Sequence, residues 1–398
     1  MPRAILVPVA LAGLLVVAVA VRLAVLNVPG HDGDVMVMAR WAEAMARYGP
    51  GQFYQHDNAI YPALLYAYWP LGLAFDGQAL TLAIKGLSIP FDVGVALALF
   101  GVGLRFGAWR ALAAPALYLF NPAVLLAGPV WGQVDAAGTL AYLLTLLALA
   151  GGRFGPAGAL AVVAALTKPQ FGLVALPVAV VALIRWRRDA DRAPAAWAAV
   201  GAAAAYAVIC LPLWLNPIAW LSRVGGAAAF QPMSSLNAPN LWGVFVGYKV
   251  PDEGFVWVGA GLALLGFAAA LLPLRRRQDL AAVLTAGIFL VFAFYFLPTR
   301  VHERYLFPAM ALLAPLAVTS GRVLIGYLLL SGAFAMAMLY ALVSTTPFTL
   351  PEPWEGLLLQ RMTSVGIGLA MMASAALLVV MLVRFGGAHL GGPRGSTG

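Results

Sequence analysis

Charge is scarce in this 398-residue sequence: only 10% of its residues are Asp, Glu, Lys or Arg, against 63% hydrophobic ones. A soluble globular chain usually carries about a quarter charged residues. So little polar surface excludes a soluble enzyme of this length. Cys210 is the lone cysteine, which excludes a disulfide framework, and the high apolar content excludes a disordered or collagen-like chain. Histidine is nearly as rare, with four residues. The polar residues that do occur are therefore few enough to weigh one by one.

What is present is long apolar sequence, with a mean hydropathy of +0.91. The expected fold class is all-α, a polytopic membrane protein. A spanning helix needs roughly 20 apolar residues, and candidate spans cover 4–26, 79–104, 110–127, 136–150, 155–167, 170–184, 195–215, 255–274, 280–297, 305–319, 323–343 and 363–384. That makes about twelve transmembrane helices, several of them short. The first follows Met1–Arg3 like a signal peptide, but it is long enough to span and lacks a clear cleavage pattern, so it reads as retained. Segment 61–75 carries Pro62 and Pro70 and reads as a re-entrant or interfacial piece. Residues 1–385 form one transmembrane domain, with external loops 27–60 and 216–253, and the Gly-rich 386–398 reads as a disordered cytoplasmic tail.

The net charge of +9 calls for no nucleic acid, because basic residues collect in cytoplasmic loops. With both termini inside, the clusters Arg185–Arg192 and Arg275–Arg277 are cytoplasmic. Most carboxylates, including Asp32, Asp34, Asp57, Asp135, Asp252 and Glu303, then share the external face with three of the histidines. Chemistry is expected there.

Four polar marks stand out. His31-Asp-Gly-Asp34 precedes a helical pattern in which Met38, Trp41 and Met45 form one apolar stripe. Asp32 or Asp34 is either an N-cap, half of a divalent-cation pair, or a general base for an acceptor hydroxyl. The base reading is preferred, because a metal-bound nucleotide sugar is a cytoplasmic donor. Asn121 to Asp135 places Gln133 and Asp135 beside Trp131 between apolar runs, either as a helix cap or facing a polar cavity. Thr167-Lys-Pro-Gln170 breaks a hydrophobic stretch. Lys168 there suits a phosphate or carboxylate partner, or simply snorkels. Finally, Thr299 to Tyr305 gathers Arg300, His302, Glu303 and Arg304, either an anion-binding group or a basic interfacial loop. Lys85 and Asp92 lie within one span and suggest pairing with other helices.

In order, these marks resemble the GT-C glycosyltransferases that use polyprenyl-phosphate sugars, notably bacterial relatives of the GPI mannosyltransferases and the dolichyl-phosphate-glucose glucosyltransferases. Asp34 and Trp41 match the spacing of that family's early-loop Asp and Trp, and Tyr61-Pro-Ala-Leu64 is similar to its Tyr-Pro-Pro-Leu. Trp131-Gly-Gln-Val-Asp135, Thr167-Lys-Pro-Gln170 and His302-Glu-Arg-Tyr-Leu306 follow the patterns of bacterial members. Arg304 stands where one branch has lysine, and the acceptor loops do not match.

The resemblance implies inverting transfer of a hexose, mannose or glucose, to a lipid-linked or glycan acceptor on the extracytoplasmic face of a bacterial plasma membrane. Asp34 would be the base. His302, Arg304 and Lys168 would bind the donor phosphate. Asp32, Trp41, Tyr61, Gln133, Asp135, Gln170, Arg300 and Glu303 would contact substrate. No cofactor or metal ligand is expected, a cation at Asp32 and Asp34 being the alternative. The implied partners are the polyprenyl-phosphate-linked donor, the acceptor and membrane lipid. The rival class is a transporter or flippase of lipid-linked sugars, whose usual internal repeats are not visible here. A polysaccharide polymerase or ligase is a third reading.

Overall fold

The computed structural model describes residues 3–385, with side chains described from residue 6; the tail expected at 386–398 lies outside them. Among the described residues the chain is all-helical, with only isolated bridge pairs between loops at Met233–Pro251 and at Leu236 and Asn237 with His302. Helices of ten or more residues are α1 (Arg3–Ala24), α2 (Asp32–Tyr48), α3 (Pro62–Ala74), α4 (Gly77–Gly86), α5 (Ser88–Gly103) and α6 (Ala108–Leu119). They continue with α7 (Asp135–Ala150), α8 (Phe154–Thr167), α9 (Ala175–Asp189), α10 (Ala193–Cys210) and α11 (Pro217–Phe230). The last are α12 (Val256–Ala270), α13 (Leu280–Phe296), α14 (Phe307–Ala317), α15 (Gly321–Thr345) and α16 (Arg361–Phe385).

Seven helical stretches are long and apolar enough to cross a membrane, and a bent pair, Ala108–Leu119 with Pro122–Val130, would make an eighth. These are the proportions of an integral membrane protein. The count falls below the twelve spans expected because α7, α8 and α13 are short, α14 has only 11 residues, and Pro122 breaks the 110–127 segment. Segment 61–75, expected as an interfacial piece, is the 13-residue helix α3.

Helix starts follow local chemistry. Asn121, Asn216, Asn240 and Asp279 each accept a backbone N–H of the first turn that follows, the ordinary N-cap role. Proline opens α3 and α11 and sits in the first turn of α10, where its missing N–H costs nothing. The cap of α2 is a correction: His31, not either aspartate, caps it, with Nδ1 accepting from the Asp34 N–H at 3.1 Å. The Asp34 carboxylate is thereby left for other partners.

One charged group crosses the apolar interior. Arg22 Nε donates to Asp92 Oδ2 at 2.8 Å and Tyr118 OH donates to Asp92 Oδ1 at 2.6 Å, all buried, tying α1, α5 and α6 together. Lys85 does not join them; its Nζ donates to the Val28 carbonyl at 2.6 Å. The expectation that Asp92 pairs with other helices holds, and for Lys85 the partner is loop backbone.

Candidate functional site

Three chain segments converge at one end of the bundle. The first is the loop and opening turn of α2. The second is a redirected stretch ahead of α7, where a π-helical turn at Leu126–Val130 leads into Gly132 at φ 94°. A side chain at Gly132 would meet Val35 Cγ2 at 2.5 Å, and one at Gly30 would run into the Val130 carbonyl oxygen. Glycine at both positions thus lets the two segments touch. The His31 N–H donates to the Trp131 carbonyl at 3.2 Å, and the His31 and Trp131 rings stack at 5.1 Å.

That contact delivers Asp34 to its partners. Trp131 Nε1 donates to Asp34 Oδ2 at 2.9 Å and Gln133 Nε2 to the same oxygen at 2.6 Å. Arg304, from the third segment, brings a guanidinium nitrogen within 3.7 Å of it. Among the described residues, Oδ1 of Asp34 has no hydrogen-bond partner. Burial by itself would raise this carboxyl, but Arg304, His31 and the Trp131 and Gln133 donors outweigh it and hold it at about 2.

Beneath Asp34 lies a fully buried polar floor. Lys168 Nζ donates to Gln133 Oε1 at 2.6 Å and to Asp135 Oδ1 at 2.7 Å. Arg304 donates to Glu303 Oε1 and approaches Asp135 at 3.9 Å. Its guanidinium also lies over the rings of Trp131 and Tyr305. Burial pushes the Glu303 carboxyl up, although Arg304 opposes this. Burial, and then Arg304, holds the His302 imidazole well below its usual range, so it is neutral at physiological pH. Three members of the cluster reach the surface: the His31, Asp34 and His302 side chains are 30%, 28% and 27% exposed, against 1–8% for Lys168, Glu303, Asp135 and Arg304.

Of the residues singled out in the sequence, the structure gathers Asp34, Gln133, Asp135, Lys168, His302, Glu303 and Arg304. Tyr61 and Trp41 join as an aromatic wall: Lys168 sits 5.8 Å from the Tyr61 ring, which meets Trp41 edge-on at 5.7 Å. Burial pushes the Tyr61 hydroxyl up to about 12. Lys168 and Arg304 are not a bare cationic cradle, since each already has a carboxylate.

Three residues stand apart. Asp32 is exposed on the first turn of α2, and the described residues hold no cluster of three or more His, Cys, Asp or Glu able to bind a metal. Gln170 lies half-buried on the 3-10 turn Pro169–Val174, outside the hydrogen bonds of the cluster. Arg300, at φ 62°, turns away to grip both oxygens of Asp252 at 2.8 and 3.1 Å. With Thr299 OH on the same carboxylate, it fastens the 231–253 loop beside His302. Trp131 and His31 were the residues missing from the expected site. Trp131 was visible in the Trp-Gly-Gln motif, but His31 carried no signal beyond being a lone polar ring.

Neither a scan against protein-family models nor a search of curated proteins returns a match for this chain.

Proposed function

We propose that the chain is a GT-C-type glycosyltransferase, moving a hexose from a polyprenyl-phosphate sugar to a lipid-linked or glycan acceptor with inversion at C1. The observation that carries the reading is the division of labour on Asp34: Oδ2 is fixed by Trp131 and Gln133, while Oδ1 has no protein partner. A carboxylate oriented through one oxygen and open at the other is the arrangement a general base requires.

In this reading the acceptor hydroxyl gives its proton to Asp34 Oδ1 as its oxygen forms a bond to C1. The C1–O bond to phosphate breaks, and its electron pair leaves on the phosphate. Arg304 stabilises that developing charge with its fork of N–H donors, and neutral His302, partly exposed beside it, donates a hydrogen bond. Lys168 keeps Gln133 and Asp135 in place and acts on Asp34 through them; this replaces the direct phosphate contact the resemblance suggested for it.

A carboxyl held at about 2 is a weak base. An anionic phosphate that draws on Arg304 removes its strongest electrostatic restraint, so the base strengthens once donor is bound.

The test is transfer from polyprenyl-phosphate mannose and glucose by Asp34→Asn, which keeps the shape and removes the base. Activity is expected to fall by roughly 10²–10⁴-fold with the fold intact. Normal transfer by Asp34→Asn, or loss in Asp32→Asn alone, overturns the assignment. Robust movement of lipid-linked sugar across vesicles without transfer favours the transporter reading, for which the buried Arg22–Asp92 pair within the spanning helices is the supporting observation.

A further inference from the structure

The face of α13 turned toward α12 and α16 carries a different feature. Two clefts, ≈ 440 and ≈ 650 Å³, lie along this helix and share Ala269, Phe289 and Val383 in their walls, so they form one continuous groove. Its floor is a helical stripe of α13: Thr285, Phe289, Phe292 and Phe296 recur at three- and four-residue spacing. Its walls, from α12 and α16, are lined by small residues such as Gly266, Ala269, Ala375 and Ala376, which leave the space open. From Ala281 to Leu297 the groove runs about 24 Å at ~1.5 Å per residue, most of the depth of a ~30 Å hydrocarbon core.

The mouth of the groove is lined by Arg275, Arg276 and Arg277. Arg277 pairs with Asp279. Arg275 and Arg276 are exposed, and their guanidinium groups have no hydrogen-bond or ion-pair partner among the described residues. Arg276 also borders a neighbouring polar cleft with Arg185 and Arg188. A channel apolar along its length and closed at one end by unpaired forked cations fits one chemistry: an acyl chain attached to a phosphate.

We infer that this groove binds an anionic glycerophospholipid, its acyl chain along α13 and its phosphate on Arg275 and Arg276, at the end of α13 opposite the Asp34 cluster. This inference is independent of the reaction proposed above.

The test is retention of dioleoyl phosphatidylglycerol and dioleoyl phosphatidylcholine by the detergent-solubilised full chain, read by native mass spectrometry. Phosphatidylglycerol is expected to be retained preferentially. Arg275→Gln with Arg276→Gln should lower that retention by roughly fivefold per arginine and leave phosphatidylcholine unchanged, whereas the double Lys variant should keep it. Ala376→Phe, at an exposed wall position, should displace the lipid with the arginines intact. Water-soluble glycerophosphate should not compete, which separates a lipid site from a phosphate site. Equal retention of the two lipids, undiminished phosphatidylglycerol on the double Gln variant, or competition by glycerophosphate would overturn the proposal.

Discussion

Asp34 and His302 both meet solvent, and their protonation works in the same direction. The Asp34 carboxyl is depressed to about 2 from an ordinary 3.8. Its contribution to stability is complete above 3.8 and is lost as pH falls through about 2. His302 is held well below 6.5, so the unfolded chain takes up that proton first and stability declines as pH falls below about 6.5. Unfolding midpoints in detergent between pH 8 and 5 should therefore drop toward the acid side in the wild type. His302→Gln should flatten that slope, and an unchanged slope would show the ring to be protonated in the folded state. At this scale the site was largely legible, because Asp34, Gln133, Lys168 and Arg304 are polar residues in otherwise apolar sequence. Arg300 was misplaced for a reason no spacing reveals: it shares a charged run with Arg304, but its left-handed backbone sends the guanidinium to Asp252.

Among the elements, the turn at Gly132 does the positioning. Gly132→Ala forces a residue with a Cβ into φ 94° and against Val35, at a cost of about 1–3 kcal/mol. It also displaces Trp131 and Gln133 from Asp34. The expected result is a lowered unfolding midpoint together with reduced transfer; a loss of stability without loss of activity would show that the two donors are dispensable. The Arg22–Asp92 pair sets a second test. Arg22→Met leaves a buried carboxylate unpaired, expected to cost about 3–5 kcal/mol, and Asp92→Leu in the same chain should recover much of it. Thermal unfolding of the single and double variants in detergent measures the recovery. The helices themselves were readable from hydropathy alone. Their lengths were less so, because an apolar run does not announce where Pro122 bends it, or that α7, α8 and α13 each stop short of a full crossing.

Over the whole molecule, polarity is segregated. The buried ion cluster lies at the 299–304 end of α13, and the arginine run 275–277 lies at the other. From the positive-inside rule we propose that the Asp34 cluster faces the extracytoplasmic side. A cysteine introduced at Asn58 should react with a membrane-impermeant maleimide in intact cells, while one at Arg276 should react only after permeabilisation; Cys210 is buried and contributes little background. The reverse pattern would put the carboxylates in the cytoplasm, where a polyprenyl-phosphate donor facing outward could not reach them. What the sequence could not convey at this scale is that residues 34, 133, 168 and 304 share one small volume. Their convergence is a property of helix packing, and only their order along the chain hinted at it.

The Arg22–Asp92 contact joins residues separated by 70 positions. Synthesis proceeds from the amino terminus, so the ribosome delivers the guanidinium into the apolar slab well before its counter-ion has been translated. Until then, α1 must shelter against the insertion machinery or slide toward the headgroups. Its final seating waits for the arrival of α5.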